Sequence, residues 1–280
     1  MKKVICFSIL FLTINLYSQS PWTQEKGKLY TQLSFSTVAN YDELFGNPDY
    51  SVLGTYSDNT LQFYGAYGIT DKTSIILNFP LKIISINDFK DPRINCVGDC
   101  SQDYEKTSLG NIEIGLKHVF YKKDWVLSGQ FSLEANTNSY DTVSGIRTGY
   151  DAFTFTPLLL AGKGFGKTYI QGFIGASIRT NNYSSNFKIG GELGRKITKN
   201  IWLIGFLDIV KSFENGTIIL PTSNLLTGLY VNNQEYGSFG AKFIGEFSEN
   251  FGITGGFGGA FFGKNVAKQA ALTFGLYHKF

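Results

Sequence analysis

The stretch Ala267-Lys-Gln-Ala-Ala-Leu-Thr-Phe-Gly-Leu-Tyr-His-Lys-Phe280 sets the pattern for the rest of the chain. Every second residue counted back from the end gives Phe280, His278, Leu276, Phe274, Leu272 and Ala270, all apolar except His278. The interleaved residues Lys279, Tyr277, Gly275, Thr273, Ala271 and Gln269 are small or polar. A period of two is that of a strand with one apolar face and one wet face.

The alternation recurs along most of the sequence. Leu61, Phe63, Tyr67 and Ile69 oppose Gln62, Tyr64, Ala66 and Gly68. Ile75, Leu77, Phe79, Leu81 and Ile83 oppose Ser74, Ile76, Asn78, Pro80 and Lys82. Trp125, Leu127, Phe131 and Leu133 oppose Ser128, Gln130, Ser132 and Glu134. Ordinary strands run to about 5–6 residues. These runs are about 9–13 residues long, the length of tilted strands that cross a bilayer.

The breaks between runs fall into two alternating classes. Thr70–Lys72, Lys122–Asp124, Gly164–Gly166, Thr198–Asn200 and Ser248–Asn250 are tight polar or glycine-containing turns. Tyr41–Asp58, Asn87–Thr107, Asn138–Gly149 and Glu214–Gln234 are long, with shorter members at Asn181–Asn186 and Gly263–Ala267. Five turns and six loops separate about twelve strands. Short turns at one rim and long loops at the other predict an all-β fold, a single transmembrane antiparallel β-barrel with its short turns periplasmic.

Composition fits that reading. The 280 residues include 25 Phe, 16 Tyr and 32 Gly, and only 17% are charged, against the usual quarter. A net charge of +3, without basic clusters interleaved with aromatics, argues against a nucleic-acid partner. At the start, Met1-Lys-Lys3 precedes an apolar run, Val4 to Leu16, and then Tyr17-Ser-Gln-Ser20. That is the layout of a secretory signal peptide over residues 1–18, with cleavage after Ser18 or Ser20. The run is too short for a membrane helix, which takes about 20 residues. Residues 19–280 then form the barrel domain, and Gln19–Lys28, ahead of the first strand, is too short for a folded plug.

Three stretches carry a resemblance. Pro21-Trp-Thr-Gln-Glu-Lys-Gly-Lys-Leu-Tyr-Thr-Gln-Leu-Ser-Phe35 resembles the opening of small Gram-negative outer-membrane transporter-like proteins, with their Trp-Thr-Gln-x-Lys-Gly start. Tyr67–Leu81 resembles the hairpin from their second to third strand. The wider group is that of the phenol-degradation MetA-pathway proteins and, more distantly, the FadL/TodX hydrocarbon transporters. The Asn-Pro-Ala hatch motif of fatty-acid channels is not in this sequence. The last strand, ending on Phe280, is similar to the closing strand that the barrel-assembly machinery reads in outer-membrane proteins. What the resemblance implies is an outer-membrane location, lipid and assembly machinery as partners, and passage of small, hydrophobic or aromatic molecules.

Strand parity turns Lys82, Glu113, Lys117, Glu134, Lys188, Glu192, Asp208 and Lys242 into the lumen. Lys82, Glu113 and Glu134 sit on three consecutive predicted strands and are expected to meet at one level, a cation between two carboxylates. Such charges either hold the wall in register or form a constriction that screens solutes. Parity also sends Leu158, Leu160, Trp202, Ile204 and Phe206 inward, either as local packing or as an apolar stripe for a ligand. Cys96 and Cys100 lie in one long loop, where an oxidising envelope favours a disulfide. No cofactor or metal is expected, since His118 and His278 are the only histidines and both fall near the turn rim. No enzyme is expected either, because no catalytic motif with a mechanism appears. The reading is a passive channel or transporter for an unidentified small solute, with a closed barrel acting through its loops as the alternative.

Overall fold

The computed structural model describes residues 19–280 apart from Cys96, Val97 and Asp99. The signal-peptide expectation over residues 1–18 and the Cys96 half of the expected disulfide lie outside the described residues, while Cys100 is disulfide-bonded.

The described residues form fourteen strand segments and one short helix. They are β1 (Leu29–Phe45), β2 (Tyr50–Thr70), β3 (Thr73–Phe89), β4 (Gln102–Leu109), β5 (Glu113–Lys122), β6 (Val126–Glu134), β7 (Thr154–Phe165) and β8 (Thr168–Arg179). After them come β9 (Asn186–Lys196), β10 (Ile201–Ser212), α1 (Thr222–Thr227), β11 (Glu235–Glu246), β12 (Phe251–Lys264), β13 (Val266–Ala267) and β14 (Ala271–Lys279). β4 and β5 both pair with β3, and β13 and β14 both pair with β1, so the fourteen segments make twelve staves. Every pairing is antiparallel. β1 pairs β2 on one side and β14 on the other, from Tyr30↔Lys279 to Val38↔Ala271, which closes the barrel. Phe280 continues that seam, donating its N–H to the Leu29 carbonyl at 2.8 Å. The five tight turns occupy one rim and the longer connections the other, as the sequence predicts.

Exposure is inverted relative to a soluble protein. Leu33, Phe131, Leu159, Leu193, Phe274 and Leu276 are 47–60% exposed on the outer face. Ser74, Asn78, Ser128, Ser132 and Ser238 are 0–3% exposed on the inner face. Burying polar groups while exposing a belt of Phe and Leu is stable only where hydrocarbon wets the outside. No helix among the described residues is long and apolar enough to cross a membrane; the crossing is made by strands.

Two features differ from the sequence reading. The predicted first long loop, Tyr41–Asp58, is mostly strand, because β1 continues to Phe45 and β2 starts at Tyr50. Tyr41, Leu44 and Tyr56, which look like loop residues in sequence, are instead buried in an apolar cluster with Ile84, Ile86 and Phe89. The second feature closes the long-loop end. Ile146 and Leu229, from the β6–β7 and β10–β11 connections, join this cluster, with Leu226 of α1 packed on it. The two connections are bonded to each other, Asn224 Oδ1 accepting from Arg147 Nε at 3.3 Å and Tyr140 OH meeting Ser223 Oγ at 2.5 Å. They fold inward as a lid.

The belt makes a quantitative prediction. Leu159 sits midway along β7 and is 60% exposed. Leu159→Arg is expected to cost about 2–4 kcal/mol of folding free energy in lipid vesicles, the penalty for a cation near the bilayer midplane. Reversible denaturant titration of the two proteins measures it, and a change within ~0.5 kcal/mol would mean that the face is solvated.

Candidate functional site in the barrel lumen

Among the described residues, the lumen holds a cavity of about 670 Å³ toward the turn rim and another of about 250 Å³ toward the loop rim. Both are lined by Ser36 and Gln62, so they abut at that level.

The larger, inner cavity is built from alternate residues of neighbouring strands. Lys242 on β11 pairs with Glu192 on β9 at 2.8 Å. Glu192 also accepts from Tyr169 OH at 2.8 Å and from Gln171 Nε2 at 2.7 Å, so its charge is well met. Nearer the rim, Lys196 pairs with Glu246 at 2.5 Å, and Trp202 Nε1 donates to the same carboxylate at 3.2 Å. Tyr30 stacks on Tyr277 at 5.7 Å and meets Tyr64 edge-on at 6.1 Å, giving the cavity an aromatic side.

The segment before β1 adds a feature beyond expectation. The sequence reading takes Gln19–Lys28 as too short for a folded plug, and it carries no helix or strand, but Ser20–Glu25 lies as an extended strap inside the turn-side mouth against the β2–β8 arc of the wall. Lys117 Nζ donates to the Ser20 carbonyl at 2.6 Å, and Ser128 Oγ donates to the Pro21 carbonyl. The Gln24 N–H donates to Ser74 Oγ at 2.9 Å, and Trp22 packs edge-on against Tyr169 at 6.0 Å. The wall is notched to receive it. A Cβ at Gly162 would stand 2.7 Å from Pro21 Cγ and 2.9 Å from the Trp22 ring, and one at Gly68 would strike the Glu25 carbonyl. Six extended residues reach about 20 Å. A strap therefore needs no fold of its own.

The outer cavity carries Asp58, Lys82, Glu113, Glu134, Arg179 and Lys188. Lys82 does not sit between Glu113 and Glu134 as the sequence reading expects. Along β3, Asn78 is the residue opposite Glu113, while Lys82 stands opposite Thr60 of β2. There its ammonium donates to Asp58 at 2.8 and 2.9 Å and to Thr60 Oγ1 at 2.9 Å. Asp58 was missed because it closes a stretch read as loop, although Asp58, Thr60, Gln62 and Tyr64 share one parity. Of the other predicted lumen residues, Lys117, Glu192 and Lys242 line the inner cavity, and Glu113, Glu134 and Lys188 the outer one. Asp208 lines neither; it is tucked over Gly190, where no Cβ could fit beside its carboxylate.

Of the inward apolar residues, Leu158, Leu160 and Phe206 line neither cavity, while Ile204 lines the inner one. Leu158, Leu160, Ile204 and Phe206 are 2–7% exposed, and the Lys242 ammonium lies 4.8 Å above the Phe206 ring. His118 is exposed, with Nδ1 2.9 Å from Thr73 Oγ1.

Asp58 is thus the partner that makes an inward Lys82 tolerable. Asp58→Ala is expected to lower stability by about 1.5–3 kcal/mol, the value of hydrogen bonds to a charged group. The double change with Lys82→Met should recover most of that, since no lone ammonium remains. Thermal unfolding in detergent micelles tests both, and equal losses in the single and double variants would contradict the pairing.

No protein-family model matches the sequence, and a search of curated proteins finds no match. Solved structures do resemble it. The COG4313 outer membrane channel from Pseudomonas putida F1 is 13% identical, with a TM-score of 0.68 over 92% of this chain and 98% of that one. The translocator domain of the autotransporter NalP from Neisseria meningitidis is 11% identical, with a TM-score of 0.53 over 91% and 90% of the two chains. The β domain of the Bordetella autotransporter BrkA is 11% identical, with a TM-score of 0.52 over 91% and 100%. At such identities the likeness is one of fold. Together with the closed seam and the apolar belt, it makes this chain an antiparallel β-barrel of the bacterial outer membrane.

Proposed function

We propose that the protein is a passive outer-membrane channel for small solutes. The observation that carries this reading is the pair of cavities abutting at Ser36 and Gln62 inside a closed, polar-walled barrel. Solute enters from the loop rim, passes through the outer cavity lined by Lys82, Glu113 and Glu134, and leaves through the aromatic-sided inner cavity past the strap. The Tyr30, Tyr64 and Tyr277 rings favour a solute with an aromatic or apolar part, while the charged outer cavity favours one with polar groups as well. Charges of both signs on the wall give weak ion selectivity. Catalysis has no part in this reading, and assembly proceeds by recognition of the strand that ends on Phe280.

The alternative, a closed barrel working through its loops, draws support from the lid, whose apolar packing resembles a stable core more than a moving flap.

Planar-bilayer recording separates the two. The full mature chain is expected to give small, stable conductance steps. Deleting residues 19–25, which removes the strap from Lys117 and Ser128, should raise the step size at least twofold. Silence from both proteins, each shown to be folded, would favour the closed barrel.

A further inference from the structure

We infer that the outer cavity is a binding site for a small zwitterion of the α-amino-acid class, an inference that rests on the channel reading and names the solute. One rung of the barrel ladder carries Asn78, Glu113, Glu134, Thr154 and Arg179 on successive strands β3, β5, β6, β7 and β8. Two carboxylate-bearing residues are therefore direct neighbours, and the backbone of Arg179 stands two strand spacings beyond Glu134, or about 9–10 Å along the wall. Lys188, on β9, adds a second cation to the same cavity.

Among the described residues, none of these four charges forms an ion pair within 4.0 Å. Elsewhere in the lumen Lys82 is matched by Asp58, Lys242 by Glu192 and Lys196 by Glu246, and the single charges Lys117 and Asp208 stand apart from one another; here two charges of each sign share one cavity. Unmatched charge in a narrow lumen is costly, so two of each sign held apart call for a molecule that brings both signs. An ammonium fits at Glu113 and Glu134, and a carboxylate fits at Arg179 and Lys188. A simple anion would leave the two glutamates unmatched, and a simple cation would leave the two basic groups so.

Two unpartnered atoms lie on this rung, and Arg179, which carries one of them, belongs to the cavity lining. Thr154, in the rung between Glu134 and Arg179, is 1% exposed, and its Oγ1 has no hydrogen-bond partner. Arg179 Nε is likewise buried without a partner, while Nη1 is held by the Ser184 carbonyl at 2.9 Å and by Asn186 Oδ1. The guanidinium is also stacked 3.9 Å over the Tyr150 ring, which fixes its plane with a donor edge free. A cavity of 250 Å³ suits a solute below drug size.

The test uses the full mature chain in detergent micelles, with L-alanine as probe and propionate and ethylamine as its single-charge halves. Titration calorimetry is expected to show L-alanine binding at least tenfold tighter than either half. Glu134→Gln and Lys188→Gln, each checked for a folded barrel by heat-modified gel mobility, should both weaken it at least fivefold, while Lys123→Gln, in an exposed tight turn, leaves it unchanged. Equal affinity for L-alanine and a half-molecule, no measurable L-alanine binding, or indifference to both site variants would overturn the inference. Bilayer conductance recorded on the same preparation keeps the two readings apart. Ion conductance without zwitterion preference defeats only the binding site, whereas silence with intact L-alanine binding defeats only the channel.

Discussion

In hydrocarbon, a peptide N–H or C=O without a partner costs several kcal/mol, and no water is present to supply one. A sheet placed there has to leave no edge. In this chain the requirement falls on β1, which pairs along its length with β2 and from Tyr30 to Val38 with β14, and on Phe280, whose backbone extends the seam by a reciprocal pair of bonds to Leu29. The alternation of Leu272, Phe274 and Leu276 with Ala271, Thr273 and Tyr277 follows from the same condition, because each stave separates lipid from lumen. The irregular pieces are consistent with it as well. The lid and the strap are non-sheet backbone, and both lie where protein or the lumen covers them.

Closing the wall creates a second problem inside. Twelve staves enclose a lumen wider than side chains fill in eight-stranded barrels, and its charges have to be met locally. The inner cavity does this with pairs that cross strands, Glu192 with Lys242 and Glu246 with Lys196, each supported by a neutral donor. The outer cavity meets one pair, Asp58 with Lys82, and leaves four charges apart. Between the strap at one end and the Ile146–Leu229 packing at the other, the lumen has room for small solutes and little else.

Parity was legible in the sequence and register was not. Strand alternation needs only neighbours two apart, so the inward placement of Lys117, Glu192 and Lys242 could be read from the chain. Which inward residues meet depends on the stagger between strands. Asn78, not Lys82, stands opposite Glu113, and nothing in the spacing of either strand says so. The β1–β2 extension was hidden for a different reason. Asn40, Asp42, Asn47, Pro48 and Asp49 read as loop chemistry, while the residues that make it strand, Tyr41, Leu44 and Tyr56, gain their burial from Ile84, Ile86 and Phe89 of a distant segment. The strap was least legible. Its seat is formed by hydroxyls and an ammonium on β3, β5 and β6 and by the absence of side chains at Gly68 and Gly162.

What wets the outer face of the staves decides whether the barrel spans a membrane, and site-directed spin labelling along Phe155–Ala161 of β7 reads this directly. Nitroxides at 155, 157 and 159 in a reconstituted bilayer should collide freely with oxygen and hardly at all with a water-soluble nickel chelate, while those at 156, 158 and 160 should be immobile and poorly accessible to both. A single-period profile with chelate access at 157 and 159 would place water where the account requires lipid.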